Sequence, residues 1–155
     1  MIESIWEIFN KEDLYECYQC ARCTGSCPAA MVMNSYGPRE TMLRCLNLGQ
    51  EAVIKDERVW YCTTCHVCED RCPQEIKISE LLTALFNLAA KNGNLPEKIK
   101  FGVDLIAKTG RCLIVNEKVV KERQKLALPE LNPVDLDEIE GILKRTGIYE
   151  VIELS

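Results

Sequence analysis

Eight of the ten cysteines fall in two runs of identical spacing, Cys17-x2-Cys20-x2-Cys23-x3-Cys27-Pro28 and Cys62-x2-Cys65-x2-Cys68-x3-Cys72-Pro73. The second run repeats the first at a displacement of 45 residues (62 minus 17). This repeat constrains the chain more than any other feature, because four thiols so close in sequence must converge on something that they bind. Disulfides would need an oxidising compartment. The N-terminal Met1-Ile2-Glu3-Ser4-Ile5-Trp6-Glu7 carries acids where an export signal needs bases, and it has no sustained apolar core. The expected setting is therefore the cytoplasm, with the thiols reduced and engaged in metal or redox work.

The run C-x2-C-x2-C-x3-C-P is the spacing in which three thiolates wrap one face of a 4Fe-4S cube while the fourth cysteine ligates a second cluster. Carried through, it assigns Cys17, Cys20, Cys23 and Cys72 to one cluster and Cys27, Cys62, Cys65 and Cys68 to the other, so that the two runs are stapled together. Gly25 is expected to let the backbone approach sulfide, and Pro28 and Pro73 to fix the exits of the chain. Arg22 and Arg71 are candidates to offset cluster charge, or ordinary solvated arginines. Zinc sites usually pair two C-x2-C units, or cysteines with histidines, and leave the third closely spaced cysteine without a place. The remaining Cys45 and Cys112 read as small buried hydrophobes. His66, the only histidine, is placed to tune a cluster by hydrogen bonding or to face solvent. Because ligand geometry organises this part of the chain, removal of iron is expected to cost the first 90 or so residues their structure.

The rest of the chain reads as helical. Pro38 at a first turn, an apolar face of Met42, Cys45, Leu46 and Leu48, and a closing Gly49 predict one helix. Ser79 is the expected cap of another, whose Leu81, Leu82, Leu85, Phe86, Leu88 and Ala89 keep helical spacing up to Asn92-Gly93. Further helices are expected over Pro96 to Thr109, over Asn116 to Ala127, and over Asp135 to Thr146, where Asp135 and Glu138 resemble a capping box. Tyr149 to Leu154 alternates like a strand. The expected fold class is mainly α, a helical ferredoxin with two cluster-binding loops. Its domains are a two-cluster part over 1–94 and a C-terminal helical extension over 95–155 that packs on it and docks partners.

Several function classes are disfavoured. The 19 basic against 24 acidic residues give a net charge of -5, with no basic run to suit a nucleic acid. The most apolar stretch, Leu81 to Ala90, is about half of what a bilayer span needs. There is no G-x-G dinucleotide fingerprint and no G-x4-G-K-[ST] phosphate loop, so flavin, nicotinamide and ATP have no evident seat and no catalytic residues are assigned.

Beyond the cysteines, Cys17-Tyr18-Gln19-Cys20-Ala21-Arg22-Cys23-Thr24-Gly25-Ser26-Cys27-Pro28, the stretch Pro38 to Gly49 with Met42-Leu43-Arg44, and Val59-Trp60-Tyr61-Cys62 resemble the C-type iron–sulfur polypeptide of heterodisulfide reductase. The likeness is strong over about residues 14 to 93 and weaker at Thr109-Gly110-Arg111. The resemblance implies a relay with two 4Fe-4S clusters that takes electrons from a flavin-containing subunit and delivers them to a cysteine-rich catalytic subunit reducing the coenzyme M–coenzyme B disulfide. The chain would then act within a hetero-oligomer without transforming a substrate itself. The alternatives are a free-standing diffusible ferredoxin and the iron–sulfur subunit of a related quinone or disulfide oxidoreductase.

Overall fold

A computed structural model describes residues 3–153, and Met1, Ile2, Leu154 and Ser155 lie outside the described residues. Every regular element among the described residues is helical. The chain divides into two compact units, one running up to Asn94 and the other Leu95–Glu153.

The first unit holds a 3-10 turn (Ile5–Glu7), α1 (Lys11–Tyr15), α2 (Arg22–Gly25), α3 (Pro38–Leu48), α4 (Glu51–Ile54), a second 3-10 turn (Glu57–Tyr61), α5 (Val67–Asp70) and α6 (Ile78–Lys91). The predicted α3 begins at Pro38, whose missing N–H is not needed in a first turn, and stops at Gly49 with φ 83°. Its inner side presents Thr41, Met42 and Cys45. The longest helix, α6, buries Ile78, Leu81, Leu82, Ala84, Leu85, Leu88 and Ala89, the i, i+3, i+4, i+7 stripe of an amphipathic helix. These residues join Ile5, Leu14, Met42, Val53, Ile54 and Val59 in one core. Complete burial of Leu81, Leu82 and Leu85 contributes about 2 to 3 kcal/mol each.

Polar ties fix the ends of this unit. Ser4 and Glu7 form a reciprocal capping box, and the Gln50 Oε1 accepts from the Ile5 N–H at 2.9 Å. The Trp60 indole N–H donates to the Asn94 carbonyl at 2.9 Å, and the Asn94 amide in turn donates to the Ile54 carbonyl at 2.7 Å. The Trp60 ring lies stacked on Phe86 at 5.4 Å.

Ser79 does not cap α6. The helix starts two residues earlier, after Lys77, and Ser79 lies buried in its first turn with its hydroxyl committed to Glu69 and His66. A tertiary partner for the hydroxyl has outcompeted the local backbone.

The second unit consists of α7 (Glu97–Thr109), α8 (Glu117–Lys125), α9 (Leu136–Thr146) and α10 (Ile148–Glu153). Pro96 precedes α7, and Gly110 ends it at φ 64°. A Cβ at Gly110 would fall 2.0 Å from Val134 Cγ1, so glycine is needed there for both conformation and space. Asn116 caps α8 by accepting from the Val119 N–H, and Asp135 caps α9 by accepting from the Asp137 and Glu138 N–H groups. The strand expected over Tyr149 to Leu154 is instead helix over its described residues. Gly147 closes α9 in the left-handed region, and the chain at once resumes helix where no strand among the described residues could pair with it. None of α7 to α10 contains a buried residue, and Phe101, Leu113, Ile114 and Leu126 are all more than half exposed. No helix among the described residues is long and apolar enough to cross a membrane.

Candidate metal centres

The sequence repeat is also a repeat of backbone geometry. Gln19 and Thr64, each the second residue inside a C-x2-C, take φ of 57° and 52°, and Ala21 and His66 follow at 58° and 61°. The short helices α2 and α5 begin directly after Ala21 and His66. They close with matching bonds, from Cys27 N to Thr24 O at 3.1 Å and from Cys72 N to Glu69 O at 3.0 Å.

Four non-glycine residues in the left-handed region cost about 1 kcal/mol or more apiece, so the surroundings must hold them there. What this geometry supplies is a nest. A left-handed residue followed by right-handed helix turns successive N–H groups toward the same concavity, a form suited to anions and iron–sulfur groups. Gly25 is not made necessary by its protein neighbours. A Cβ there would meet nothing within 4 Å, and the equivalent position in the second run is Asp70.

The two loops enclose two cavities. One, partly open to solvent, is lined by Cys17, Cys20, Cys23 and Cys72. The other is lined by Cys27, Cys62, Cys65 and Cys68. Each cavity takes three thiols from one run and the last cysteine of the other. All eight thiols are free of disulfides; Cys20 and Cys65 are exposed, whereas Cys23, Cys27 and Cys68 are buried. Burial pushes the Cys23 thiol above its ordinary value and the Cys68 thiol up to about 12. These thiols keep their protons until a bound cation offsets the thiolate charge. The Thr64 N–H lies 3.4 Å from Cys62 Sγ, and so one backbone donor already faces a sulfur of the second cavity.

The donor set fits a polynuclear cluster better than a single ion. A zinc ion with bonds of about 2.3 Å draws its four sulfurs to within about 4 Å of one another. No three His, Cys, Asp or Glu side chains among the described residues are gathered to hold a single ion. A cube bearing one thiolate per iron spreads its ligands more widely. Two buried oxygens, Thr24 Oγ1 and the Tyr36 hydroxyl, have no hydrogen-bond partner among the protein atoms. Thr24 follows Cys23, and Tyr36 packs with Cys27 and Cys62, so each orphan stands beside a cavity-lining cysteine.

Of the two arginines singled out by sequence, Arg22 lines the first cavity, whereas Arg71 is an exposed residue capping the end of α5. Sequence reasoning missed Arg39, which lines the same cavity and donates to the Gln19 Oε1 at 3.1 Å. Its position 20 residues away from Gln19 carries no local signal. His66 lines the second cavity, with Nδ1 3.1 Å from the Ser79 hydroxyl. Ser79 donates to Glu69, whose other oxygen meets the Lys77 ammonium at 3.0 Å. Cys45 is buried under α3, with its thiol pushed up to about 12 by burial, as a small core hydrophobe should be. Cys112 is exposed, contrary to expectation, because its segment belongs to a unit whose helices bury no residue.

Residues 13–76 match the 4Fe-4S dicluster domain family. A C-type iron–sulfur polypeptide of CoB–CoM heterodisulfide reductase from Methanocaldococcus jannaschii, the second of that type, is 36% identical over 142 residues, covering 88% of this chain and 75% of the relative. The C-type iron–sulfur polypeptide of the Methanopyrus kandleri enzyme is 34% identical over 151 residues, covering 93% and 78%. The C-type polypeptide of a ferredoxin/F(420)H(2)-dependent CoB–CoM heterodisulfide reductase from Methanosarcina acetivorans is 31% identical over 147 residues, covering 92% and 90%. With a dicluster domain for two 4Fe-4S clusters, the chain belongs to the family of C-type iron–sulfur polypeptides of CoB–CoM heterodisulfide reductase.

Proposed function

We propose that this protein relays electrons from a flavin-containing subunit to a cysteine-rich subunit that reduces a mixed disulfide. Cys17, Cys20, Cys23 and Cys72 hold one 4Fe-4S cluster, and Cys27, Cys62, Cys65 and Cys68 hold the other. The observation that carries this reading is the make-up of the cavities, each completed by a thiol from the opposite run. When bound, a 4Fe-4S cluster takes up and gives back one electron at a time.

The chain's own residues set the conditions for that transfer. The left-handed residues Gln19, Ala21, Thr64 and His66 aim backbone donors into the loops, and Arg22 and Arg39 add positive charge at the first cavity. Burial of Cys23, Cys27 and Cys68 keeps water from the inner faces, while exposed Cys20 and Cys65 leave an edge of each site near the surface. Reduction of a disulfide to two thiols consumes two electrons and two protons. In this reading both the bond cleavage and the proton uptake occur on the neighbouring subunit. The second unit, with Phe101, Leu113, Ile114 and Leu126 exposed, docks the neighbours.

The test is an anoxic reconstitution of the complex with and without this chain. Omission is expected to abolish disulfide reduction driven through the flavin subunit while leaving turnover with an artificial dye donor intact. Full flavin-driven turnover without the chain would overturn the relay. Recovery of the native protein only as a free 17.6 kDa species would favour a diffusible ferredoxin.

A further inference from the structure

Tyr36 is only 5% exposed and forms a small buried cluster with Cys27 and Ala29, against which Tyr61 and Cys62 pack. Its ring meets Tyr61 edge to face, with centroids 6.0 Å apart. Those contacts account for an aromatic ring at this position but not for its hydroxyl, which finds no partner among the protein atoms. Burying an unpaired hydroxyl is costly, and a buried tyrosine normally spends its O–H on an acceptor.

The sulfur-bearing neighbours of this phenol are Cys27, in the same buried cluster, and Cys62, packed against it. A phenol can donate its proton in a hydrogen bond, and a protonated thiol is a poor acceptor for it, whereas an iron-bound thiolate is a charged and strong one. Both cysteines line the second cavity.

We infer that the Tyr36 hydroxyl donates a hydrogen bond to a cluster-bearing thiolate of the second cavity, that of Cys27 or Cys62, and thereby raises the reduction potential of the cluster held there. The inference rests on the ligand assignment proposed above. Donation to a ligand sulfur withdraws charge from the irons and favours the reduced form, which carries the additional negative charge. Tyr36 is a tuning residue in this scheme and exchanges neither electrons nor protons with a substrate. The bond is made only when the cluster is in place, so the otherwise orphaned hydroxyl becomes satisfied on loading.

The experiment is a potentiometric titration of the anoxically purified holoprotein, followed by electron paramagnetic resonance, for wild type and Tyr36→Phe. The variant keeps the ring and loses only the donor. It is expected to disfavour reduction of the second-cavity cluster by roughly tenfold, about 59 mV downward for one electron, with the first-cavity cluster unmoved. Unchanged midpoints for both clusters, in a variant retaining both, would overturn the inference while leaving the ligand assignment standing. A second preparation covers failure of the variant to load. Wild-type chain grown with 3-fluorotyrosine has a stronger phenol donor and is expected to move the second-cavity cluster upward, and absence of that shift would equally refute the hydrogen bond. The ligand assignment fails separately, if Cys62→Ser perturbs the cluster held by Cys17, Cys20 and Cys23 instead of the one beside Tyr36.

Discussion

Cys62 and Cys72 belong to one sequence run but line different cavities, whereas Cys20 and Cys72 belong to different runs and line the same one. Paired substitutions turn this into a count. The loaded chain carries about eight irons, four per cube. The double variant Cys20→Ser/Cys72→Ser strips two ligands from one cavity and is expected to retain about four irons and a single reduced-state paramagnetic species. Cys62→Ser/Cys72→Ser strips one ligand from each cavity and is expected to impair both clusters, leaving fewer than four intact-cluster irons.

Stability should follow the same logic. While iron stays bound, a filled first cavity fastens Cys23 to Cys72 across 49 residues (72 minus 23), and a filled second one fastens Cys27 to Cys62 across 35 (62 minus 27). The polymer expression for a cross-link of such length gives about 4 kcal/mol for each closure. Iron and sulfide analysis, reduced-state spectra and denaturant melts under anoxic conditions read these outcomes. The refuting result is the reverse pattern, with Cys20→Ser/Cys72→Ser losing both clusters and Cys62→Ser/Cys72→Ser keeping one. That pattern would mean that each run encloses its own cluster.

Other perturbations test the frame around the sites. Gly37→Ala would place a Cβ 2.8 Å from Thr24 Cγ2, an overpacking expected to cost about 1 to 3 kcal/mol in a denaturant melt. Addition of Thr24→Ser removes that methyl and should restore part of the loss, and strict additivity of the two changes would refute the clash. Asp56 accepts from Arg58 and pairs with Arg44 at 2.8 Å, and the Arg58 hydrogen bonds hold its carboxyl below the usual aspartate range. Its stabilising effect is thus complete above about pH 4 and fades as acid protonates the folded form. Asp56→Asn should cost about 2 kcal/mol at pH 7, with the gap to wild type narrowing below pH 4 in urea melts; a gap that widens in acid would contradict this. Removal of iron by a chelator should open the cysteine loops to protease yet spare most far-ultraviolet helical signal. The cysteine-bearing helices α2 and α5 have only four residues each, whereas α3 and α6 are tied to the core by Met42, Leu81 and Leu85. Loss of cooperative unfolding would restore the broader collapse expected from sequence.

What could be read without coordinates was what is encoded within a few residues. Pro38 and Gly49 bracket α3, Gly110 ends α7, and Asn116 and Asp135 cap α8 and α9, because a cap is a contact with the residue's own neighbours. The cysteine spacing is local in the same sense, and the grouping of the thiols around two cavities follows it. Features settled by distant partners were not legible. Ser79 looks like a cap until Glu69 and His66 claim its hydroxyl, and Arg39 has no motif to mark it. Tyr36 lies outside both cysteine runs, and only the fold sets its ring against Cys27 and Cys62. Tyr149 to Leu154 alternates correctly for a strand, but alternation cannot supply the neighbouring strand that would have to pair with it.

Because each cavity borrows a thiol from the opposite run, neither can be finished before the second run has been made. At a translation speed of about 5 to 20 residues per second, Cys72 leaves the ribosome some 3 to 11 s after Cys17, and three thiols wait for that interval beside an open corner. Metal loading is thereby deferred until the second run is made, and a product truncated between the runs would leave both sites incomplete.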